Sequence, residues 1–505
     1  MTFKQLKQYR GSLSLGLMII ITGITQVLTL MKSSLVAGIF GTGVEIDAYN
    51  LANSIVSFLF GFIAAGISTV IIPNYVRKTD RRNVDSFITV LYGLIALIVG
   101  ILIAFRYQII GLFSNRDELF VNICCNALIV LLLANYLLAI SDVTVAYFQC
   151  KGKYNLPKIV SLVAQLIVVV VLILSPNLSI SQYTYIIVAG LVVNFGLDTL
   201  FAIKEGWRVR PTFSFSPETK KMFGLFLPIV FSTGIYKLSL MVDSTIAARL
   251  ETGEITVLSY ASQISNIINT LLIGNLLTYY YPKIVKKIDT DNDQKSFWKQ
   301  TILFHLIVCL VISGFTTVGH EAVVLLFKHG SFTEEAARFV YIGALIYIIG
   351  QQTEVVRDLI YRYFYAKGIT SVTAKNGIVV STVNILVSIT LVYFIGFFGI
   401  FLGTVIASLV SLIMMFIKFH TYFGFTESLK SIIGSLLKNN CIVIVTIVIV
   451  FILKKTFVIE SLILQILIFG AATLIIYLLL SMLLYKNFKE MIMAERSTYE
   501  RSRIQ

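Results

Sequence analysis

The sequence predicts an all-α integral membrane protein with about fourteen transmembrane helices, arranged as two six-helix lobes followed by two further helices. Three observations predict it: an apolar composition, a series of long apolar segments, and an uneven distribution of Lys and Arg. Hydrophobic residues make up 57% of the 505 residues, and charged residues only 13%. A soluble chain of this length needs more surface charge, so we expect this one to lie in a bilayer.

A transmembrane helix needs about 20 apolar residues, and about fourteen segments of the sequence offer them. In chain order the predicted spans are 13–39, 51–73, 88–113, 119–148, 159–175, 183–203, 222–248, 255–282, 300–327, 339–365, 376–396, 397–417, 439–453 and 461–485.

Basic residues alternate between the loops. If the N-terminus is cytoplasmic, about thirty of the 41 Lys and Arg residues lie on the cytoplasmic side. The other side holds Arg116, Arg249, Lys328, Arg338, Lys454 and Lys455, and the spans hold Lys32, Arg106, Lys237, Arg357 and Arg362. This bias predicts a multi-pass protein with both termini in the cytoplasm.

Several function classes are excluded by the residue pattern. The formal net charge is +15, but the basic residues are scattered over short loops, so we expect lipid headgroups and not nucleic acid as the partner. The five cysteines show no metal-ligand spacing. No phosphate loop, nucleophile elbow or catalytic acid pair occurs in the sequence. We therefore expect neither an enzyme nor a resident cofactor.

An internal repeat divides the chain. The segment FGTGVEIDAYNLANSI, Phe40 to Ile55, is similar to LETGEITVLSYASQISNI, Leu250 to Ile267, and YFQCKG, Tyr147 to Gly152, is similar to YFYAKG, Tyr363 to Gly368. The offset is about six spans. An even number predicts two lobes related by a pseudo-two-fold axis along the membrane normal, with a cavity between them. The predicted domains are 1–221, 222–430 and a two-helix appendix at 431–505.

Three segments carry a resemblance to a known family. They are Ser33 to Ile55, LFKHGSFTEEAARFV from Leu326 to Val340, and Tyr361 to Ser388. With the fourteen-span layout, they resemble the MviN/MurJ branch of the multidrug/oligosaccharidyl-lipid/polysaccharide exporter superfamily. The resemblance implies an alternating-access flippase of a bacterial plasma membrane, which moves an undecaprenyl-diphosphate-linked cell-wall precursor such as lipid II to the outer leaflet. We expect it to act as a monomer.

The resemblance also implies cargo-binding residues. Lys32 falls where lipid II flippases carry a cavity arginine, and a lysine there suits the pyrophosphate of the cargo. The alternative is a lysine that reaches the outer interface. The further arginines of the pattern fall on Gln26, on Phe60 or Gly61, and on Gln263, none of which is cationic. We take Lys32, Gln26, Lys237 and Gln263 as candidate substrate-binding residues, with helix packing as the alternative for the glutamines.

A candidate sodium site and a candidate gate follow. By resemblance, Asp243, Asn384, Ser388 and Thr404 occupy sodium-binding positions, with Ser388 in place of a second carboxylate. A polar cluster that only packs helices is the alternative, and Na⁺ or H⁺ is the expected coupling ion. One span carries Glu354, Arg357, Asp358 and Arg362. Glu354 lies three residues before Arg357 and four before Asp358, and Asp358 lies four before Arg362, which predicts an ion-pair ladder or a gate.

Two other functions stay open at this stage. The shortage of cavity cations favours a flippase for another lipid-linked glycan, such as a capsule, teichoic-acid or O-antigen unit. A cation-coupled drug exporter of the same superfamily is the second alternative. A non-transporting scaffold is disfavoured, because charges inside the membrane would then cost free energy without a use.

Overall fold

The computed structural model describes residues 3–76, 80–214, 216–274 and 294–485. These residues form α-helices joined by short connections and contain no β-strand. In chain order the helices are α1 Phe3–Phe40, α2 Val44–Val76, α3 Arg81–Ala104, α4 Arg106–Phe113, α5 Glu118–Cys150, α6 Asn155–Leu174, α7 Ile180–Lys204, α8 Pro217–Ala248, α9 Glu254–Ile268, α10 Gln294–Phe327, α11 Glu334–Ala366, α12 Thr370–Ile395, α13 Phe398–Phe423, α14 Leu429–Thr456 and α15 Leu462–Leu484. A π-helical turn, Asn269–Gly274, continues α9.

Eleven of the described helices are long and apolar enough to cross a membrane, which confirms the prediction of an all-helical multi-pass protein. The four helices outside this set are α2, α4, α8 and α9. Predicted spans 51–73 and 222–248 coincide with α2 and α8, and residues 275–282 of predicted span 255–282 lie outside the described residues. The total of fourteen transmembrane helices stays a prediction.

One predicted span is wrong in detail. The segment 88–113 forms two helices, because α3 ends at Ala104 and α4 begins at Arg106. The Phe105 N–H donates to the carbonyl of Ile101, and the Arg106 side chain donates to the carbonyl of Ile103. The Arg106 guanidinium therefore satisfies a carbonyl that the end of a helix leaves without an intrahelical partner.

The helices fall into two compact units. The first contains Met1–Tyr260 with His329–Thr333, and the second contains Ala261–Lys328 with Glu334–Gln505. In the first unit α5 contacts α2, α3, α4, α6 and α7, while α2 also packs on α8. In the second unit α10 contacts α11, α14 and α15, so the two C-terminal helices pack on this unit. The predicted domain boundaries and the axis between the lobes stay predictions.

The repeated YF motifs end their helices in the same way. Gly152 and Gly368 both have φ of +73°, a left-handed conformation that glycine adopts without a Cβ penalty. The following N–H donates to the carbonyl of Phe148 in one case and of Phe364 in the other, at 2.9 Å each. The sequence similarity therefore reflects the same helix-ending Schellman motif.

Candidate functional site

Helix α1 presents two chemically different faces. One face carries exposed apolar side chains at helical spacing: Leu17, Ile20, Ile24, Val27 and Met31. The opposite face carries polar side chains at the same spacing: Thr22, Thr25, Gln26, Thr29, Lys32 and Ser33. Exposed apolar residues at this spacing suit contact with lipid tails, so the polar face is directed toward the protein.

Lys32 lies on the polar face and is half-buried. It is eight residues before the end of α1, which places it about 12 Å along the axis from that end. No carboxylate of the described residues lies within ion-pairing distance of its amine. Because an uncompensated cation at this depth costs about 3 kcal/mol on insertion scales, Lys32 suits an anionic ligand.

Lys237 lies on α8 against a glycine of α2. The two helices run antiparallel, with Ser54 Oγ donating to Ser244 Oγ at 3.0 Å. Gly61 lies seven residues after Ser54, and Lys237 lies seven residues before Ser244. A Cβ added to Gly61 would lie 2.8 Å from Lys237 Cε and 3.4 Å from Nζ. The absence of a side chain at Gly61 thus leaves room for the lysine stem, and the amine lies near one of the positions where the resemblance implies an arginine.

The two predicted glutamines lie in different units. Gln26 is half-buried on the polar face of α1, in the first unit with both lysines. Gln263 is half-buried on α9 and belongs to the second unit. The first unit therefore contains three of the four predicted substrate-binding residues.

Three of the four predicted sodium ligands lie together. Ser388 Oγ donates to Asn384 Oδ1 at 3.0 Å, and Thr404 Oγ1 donates to the same oxygen at 3.4 Å. Gly403 allows this packing, since a Cβ there would lie 2.3 Å from Ser388 Oγ. Asp243, the fourth, is buried on α8 in the first unit. The hydroxyls now bond to Asn384 Oδ1, so they would rotate away if that oxygen were to bind a cation.

The predicted ladder on α11 contains one resolved ion pair. Arg357 Nε and Nη2 each lie 3.0 Å from Asp358 Oδ1, so the pair joins neighbouring residues and not residues four apart. Glu354 is half-buried and forms no ion pair with a described residue, and Arg362 is half-buried. The Arg357 guanidinium also lies over the Tyr361 ring, 5.6 Å from its centroid.

The structure shows a polar cluster that sequence reasoning missed. Asp47, fully buried at the start of α2, accepts from Arg116 Nη1 at 2.9 Å and from the N–H of Gly253 at 2.7 Å. Thr256 donates to it twice, from its N–H at 3.0 Å and from its hydroxyl at 2.6 Å. The carboxylate therefore ties α2 and the α4–α5 connection to the start of α9 and caps that helix.

Arg116 extends this cluster to the end of α8. Its Nε donates to the carbonyl of Ala248 at 3.0 Å, and its Nη2 donates to the carbonyl of Glu251 at 2.6 Å. The sequence offered one signal, since Asp47 and Gly253 both lie within the repeated segments. It did not reveal that these residues meet.

A glycine contact lies in the same unit. The Ser331 N–H donates to the carbonyl of Gly38 at 2.8 Å. A Cβ on Gly330, where φ is +58°, would lie 2.1 Å from that carbonyl oxygen. The HGS segment of the connection 328–333 thus packs directly on the last turns of α1. Gly38 and Gly330 belong to two different segments that carry the family resemblance, and this contact joins those segments.

Comparison with known proteins decides the family. The family model described as "Lipid II flippase MurJ" matches residues 36–484. The chain belongs to this family. A probable lipid II flippase MurJ of Vibrio cholerae is 22% identical over 425 residues, covering 79% of this chain and 81% of the relative. The lipid II flippase MurJ of Burkholderia cenocepacia is 22% identical over 436 residues, covering 78% and 81%.

Solved structures show the same fold. A lipid II flippase MurJ in an inward closed conformation matches with a TM-score of 0.79 at 19% identity, over 93% of this chain and 99% of that chain. An inward-facing multidrug resistance transporter of the MATE family, within the MOP superfamily, matches with a TM-score of 0.64 at 14% identity, over 79% and 97%. As a MurJ family member, the chain is a multi-pass protein of the bacterial inner membrane and a transporter, not an enzyme.

Proposed function

We propose that this MurJ family member flips a lipid II-type precursor, linked to undecaprenyl diphosphate, from the inner to the outer leaflet by alternating access. Family membership supports the flippase activity, and the named relatives support lipid II as the cargo. The observation that carries the proposal in this chain is the pair Lys32 and Lys237. Both are half-buried on predicted spans of the first unit, and neither forms an ion pair with a described residue.

The two lysines suit a pyrophosphate. A diphosphate carries dense negative charge that an ammonium recognises as a point charge. Lys32 lies about 12 Å from the end of α1, and Lys237 about 17 Å from the end of α8. Both helices are predicted to run toward the outer side. The lysines therefore lie at similar depths in the membrane.

Hydroxyl and amide groups share the polar face of α1 with Lys32. Thr22 and Thr25 each donate to the carbonyl four residues earlier, at 2.8 and 2.9 Å, which leaves their hydroxyl lone pairs as acceptors. Thr29 donates in the same way to the carbonyl of Thr25, at 2.9 Å. With Gln26, these groups suit the hydroxyls of a glycan headgroup. The exposed apolar face of the same helix suits the lipid tail or the bilayer.

Coupling and topology complete the proposal. Asn384, Ser388 and Thr404 of the second unit are the residues that would supply oxygen ligands to Na⁺, and H⁺ is the alternative coupling ion. The distribution of basic residues predicts that both termini lie in the cytoplasm. We also propose that the chain functions as a monomer. Cysteines introduced at the two termini should react with a membrane-impermeant maleimide only after the membrane is broken.

The cargo is tested by flipping of fluorescent lipid II in proteoliposomes, with K32A and K32R compared at equal reconstitution. We expect K32A to lose at least tenfold in rate and K32R to retain most of it, because the arginine keeps the cation. An unchanged rate in K32A would refute the cargo role of Lys32.

Depletion in cells tests the cargo independently. Loss of the protein should cause lipid II to accumulate on the cytoplasmic leaflet. Accumulation of a different undecaprenyl-linked glycan, without lipid II, would assign the protein to that glycan instead.

A further inference from the structure

The connection between α7 and α8, residues 205–216, has no part in the proposed function. It begins where α7 ends at Lys204, and Trp207 anchors its start. The Trp207 side chain is 7% exposed, and its N–H donates to the carbonyl of Ala202 at 2.8 Å. The connection is thus fixed to the first unit from its first residues onward.

Hydrogen bonds then hold the connection against the first turns of α3. They join it to successively later residues of that helix: the Arg208 carbonyl accepts from the Arg81 side chain, the Arg210 N–H donates to Asp85 Oδ2 at 3.3 Å, and the Thr212 N–H donates to Thr89 Oγ1 at 3.2 Å. From Arg208 to Thr212, the chain therefore advances along α3 toward the C-terminal end of that helix.

The connection then turns back. The Ser214 N–H donates to Ser86 Oγ at 2.9 Å, and the Ser216 hydroxyl donates to Asn83 Oδ1 at 2.8 Å. The partners on α3 thus run from its first residue to Thr89 and return toward its start. Eight residues of helix rise about 12 Å, so the connection forms a loop that reaches this far along α3 before it returns.

The tip of this loop carries an apolar side chain that the protein does not cover. Phe213 is 78% exposed, and Pro211 beside the tip is exposed as well. Thr89, the partner of Thr212, is the second residue of a predicted span that we expect to enter the membrane from the cytoplasmic side. The tip therefore lies at the predicted edge of the hydrocarbon, where a phenylalanine suits the acyl chains next to the headgroups.

Four arginines lie along the base of the loop. Two are at the start of α3 and two are in the connection, and all four are exposed: Arg81, Arg82, Arg208 and Arg210. None of their guanidinium groups forms an ion pair with a carboxylate of the described residues. The acids beside them on α3 are Asp80 and Asp85, and each accepts from a backbone N–H. Glu205, at the start of the connection, is paired with Lys153. Because the cations outnumber the acids, this surface is complementary to anionic groups.

We propose that this loop anchors the first unit to anionic phospholipids of the cytoplasmic leaflet. Phe213 inserts among the acyl chains, and the arginines bind the phosphates of the headgroups, which lie just outside the level of the phenylalanine. Apolar side chains flanked by basic residues are typical of segments that bind a membrane surface. Because the hydrogen bonds to α3 already hold the loop in place, little conformational entropy is lost when it binds lipid. The anchor does not depend on the identity of the cargo.

The test locates residue 213 relative to the lipid in the full-length chain. F213W is reconstituted into vesicles of phosphatidylcholine alone, or of equal parts of phosphatidylcholine and phosphatidylglycerol, with acyl chains brominated near the headgroup. The two native tryptophans, Trp207 and Trp298, are buried, and the wild-type emission is subtracted. We expect the added emission to be blue-shifted and quenched, about twofold more strongly in the vesicles that contain phosphatidylglycerol.

R208Q/R210Q in the F213W background should reduce the quenching to the level seen in phosphatidylcholine alone. K158Q/K430Q is the matched control, because these lysines are exposed at the predicted cytoplasmic ends of α6 and α14, and it should leave the quenching unchanged. Emission as in water, without quenching by brominated lipid, would overturn the proposal and leave the tip free for a soluble protein. Quenching that depends neither on phosphatidylglycerol nor on the arginines would overturn the recognition of anionic headgroups. Flipping is not measured, so failure of the proposed function would not change these outcomes.

Discussion

Arg116 donates from Nη1 to Oδ2 of Asp47 at 2.9 Å, across 69 residues of sequence, with the Asp47 side chain fully buried. The same carboxylate accepts from the N–H groups of Gly253 and Thr256. This ion pair thus holds together α2, the α4–α5 connection and the start of α9, and its loss should affect the whole first unit.

The first prediction concerns this ion pair. R116A leaves the buried Asp47 carboxylate without its charge partner, which should lower the free energy of unfolding by about 3 to 5 kcal/mol. Thermal unfolding in detergent measures the change. K328A removes the exposed pair between Lys328 and Glu334 and should cost no more than about 1 kcal/mol. Equal losses in the two variants would contradict the prediction.

The second prediction is a pH dependence near this cluster. Burial raises the pKa of Glu254, the first residue of α9, from 4.5 to about 7, against the lowering effect of Arg116. The native state therefore binds this proton more tightly than the unfolded chain. Stability from this group should be fully present below pH 4.5 and should be lost as the pH rises to about 7.

The glutamine in E254Q cannot titrate. The loss of stability as the pH rises to about 7 should therefore be smaller in this variant. The measurement is the melting temperature across this pH range for wild type and variant. A profile that E254Q leaves unchanged would show that Glu254 is not the titrating group.

The third prediction concerns Lys237. G61A places a methyl group 2.8 Å from Lys237 Cε, and the flexible lysine stem should move aside at little cost in stability. The amine is then displaced from its place over α2, and we expect flipping of lipid II to fall at least fivefold. G93A on α3 meets no atom within 4 Å and should leave the rate unchanged. Equal rates for the two variants would remove Lys237 from the cargo site.

The fourth prediction separates backbone strain from steric overlap. G152A and G330A both force an alanine into a left-handed conformation, which costs about 1 to 2 kcal/mol. Only Gly330 has a neighbour, since its added Cβ would lie 2.1 Å from the Gly38 carbonyl oxygen. G330A should therefore destabilise the protein clearly more than G152A in thermal unfolding. Similar values would show that the segment moves away freely.

The fifth prediction concerns the attachment of the C-terminal helices. Asn439 of α14 is fully buried, donates to the carbonyl of Ile302 at 3.2 Å, and accepts from the Tyr485 hydroxyl at 2.7 Å. Its amide also lies 3.1 Å from His305 Nδ1. N439A leaves these groups unsatisfied and should cost about 1 to 3 kcal/mol. S435A removes a hydroxyl that donates to the carbonyl of Ser431 in its own helix, and it should change stability by less than about 0.5 kcal/mol.

Local sequence was enough to predict most of the helices. Whether a segment enters the membrane depends mainly on the summed transfer free energy of its own residues, so composition and loop charge indicated the multi-pass fold directly. The break at Phe105 was missed, because hydropathy continues through it. The same limit explains why α14 begins at Leu429 although its predicted span began at residue 439.

The site could be predicted only in part. Lys32 stood out in the sequence because a charged side chain within an apolar span costs free energy. In the structure it is half-buried on the polar face of α1. The grouping of Asn384, Ser388 and Thr404 followed from resemblance, while the contact of Lys237 with Gly61 had no local signal. A glycine indicates that another group packs closely at its position, but the sequence does not show which residue supplies that group.

By itself, the sequence determined that this chain is an all-helical membrane protein of a recognisable transporter family, since those properties depend on local hydrophobicity and short motifs. Only the tertiary structure decided which distant polar groups meet, as Asp47 does with Arg116 and Thr256. The physical reason is that the pairing of buried charges depends on helix register and packing, which residues far apart in the chain fix together.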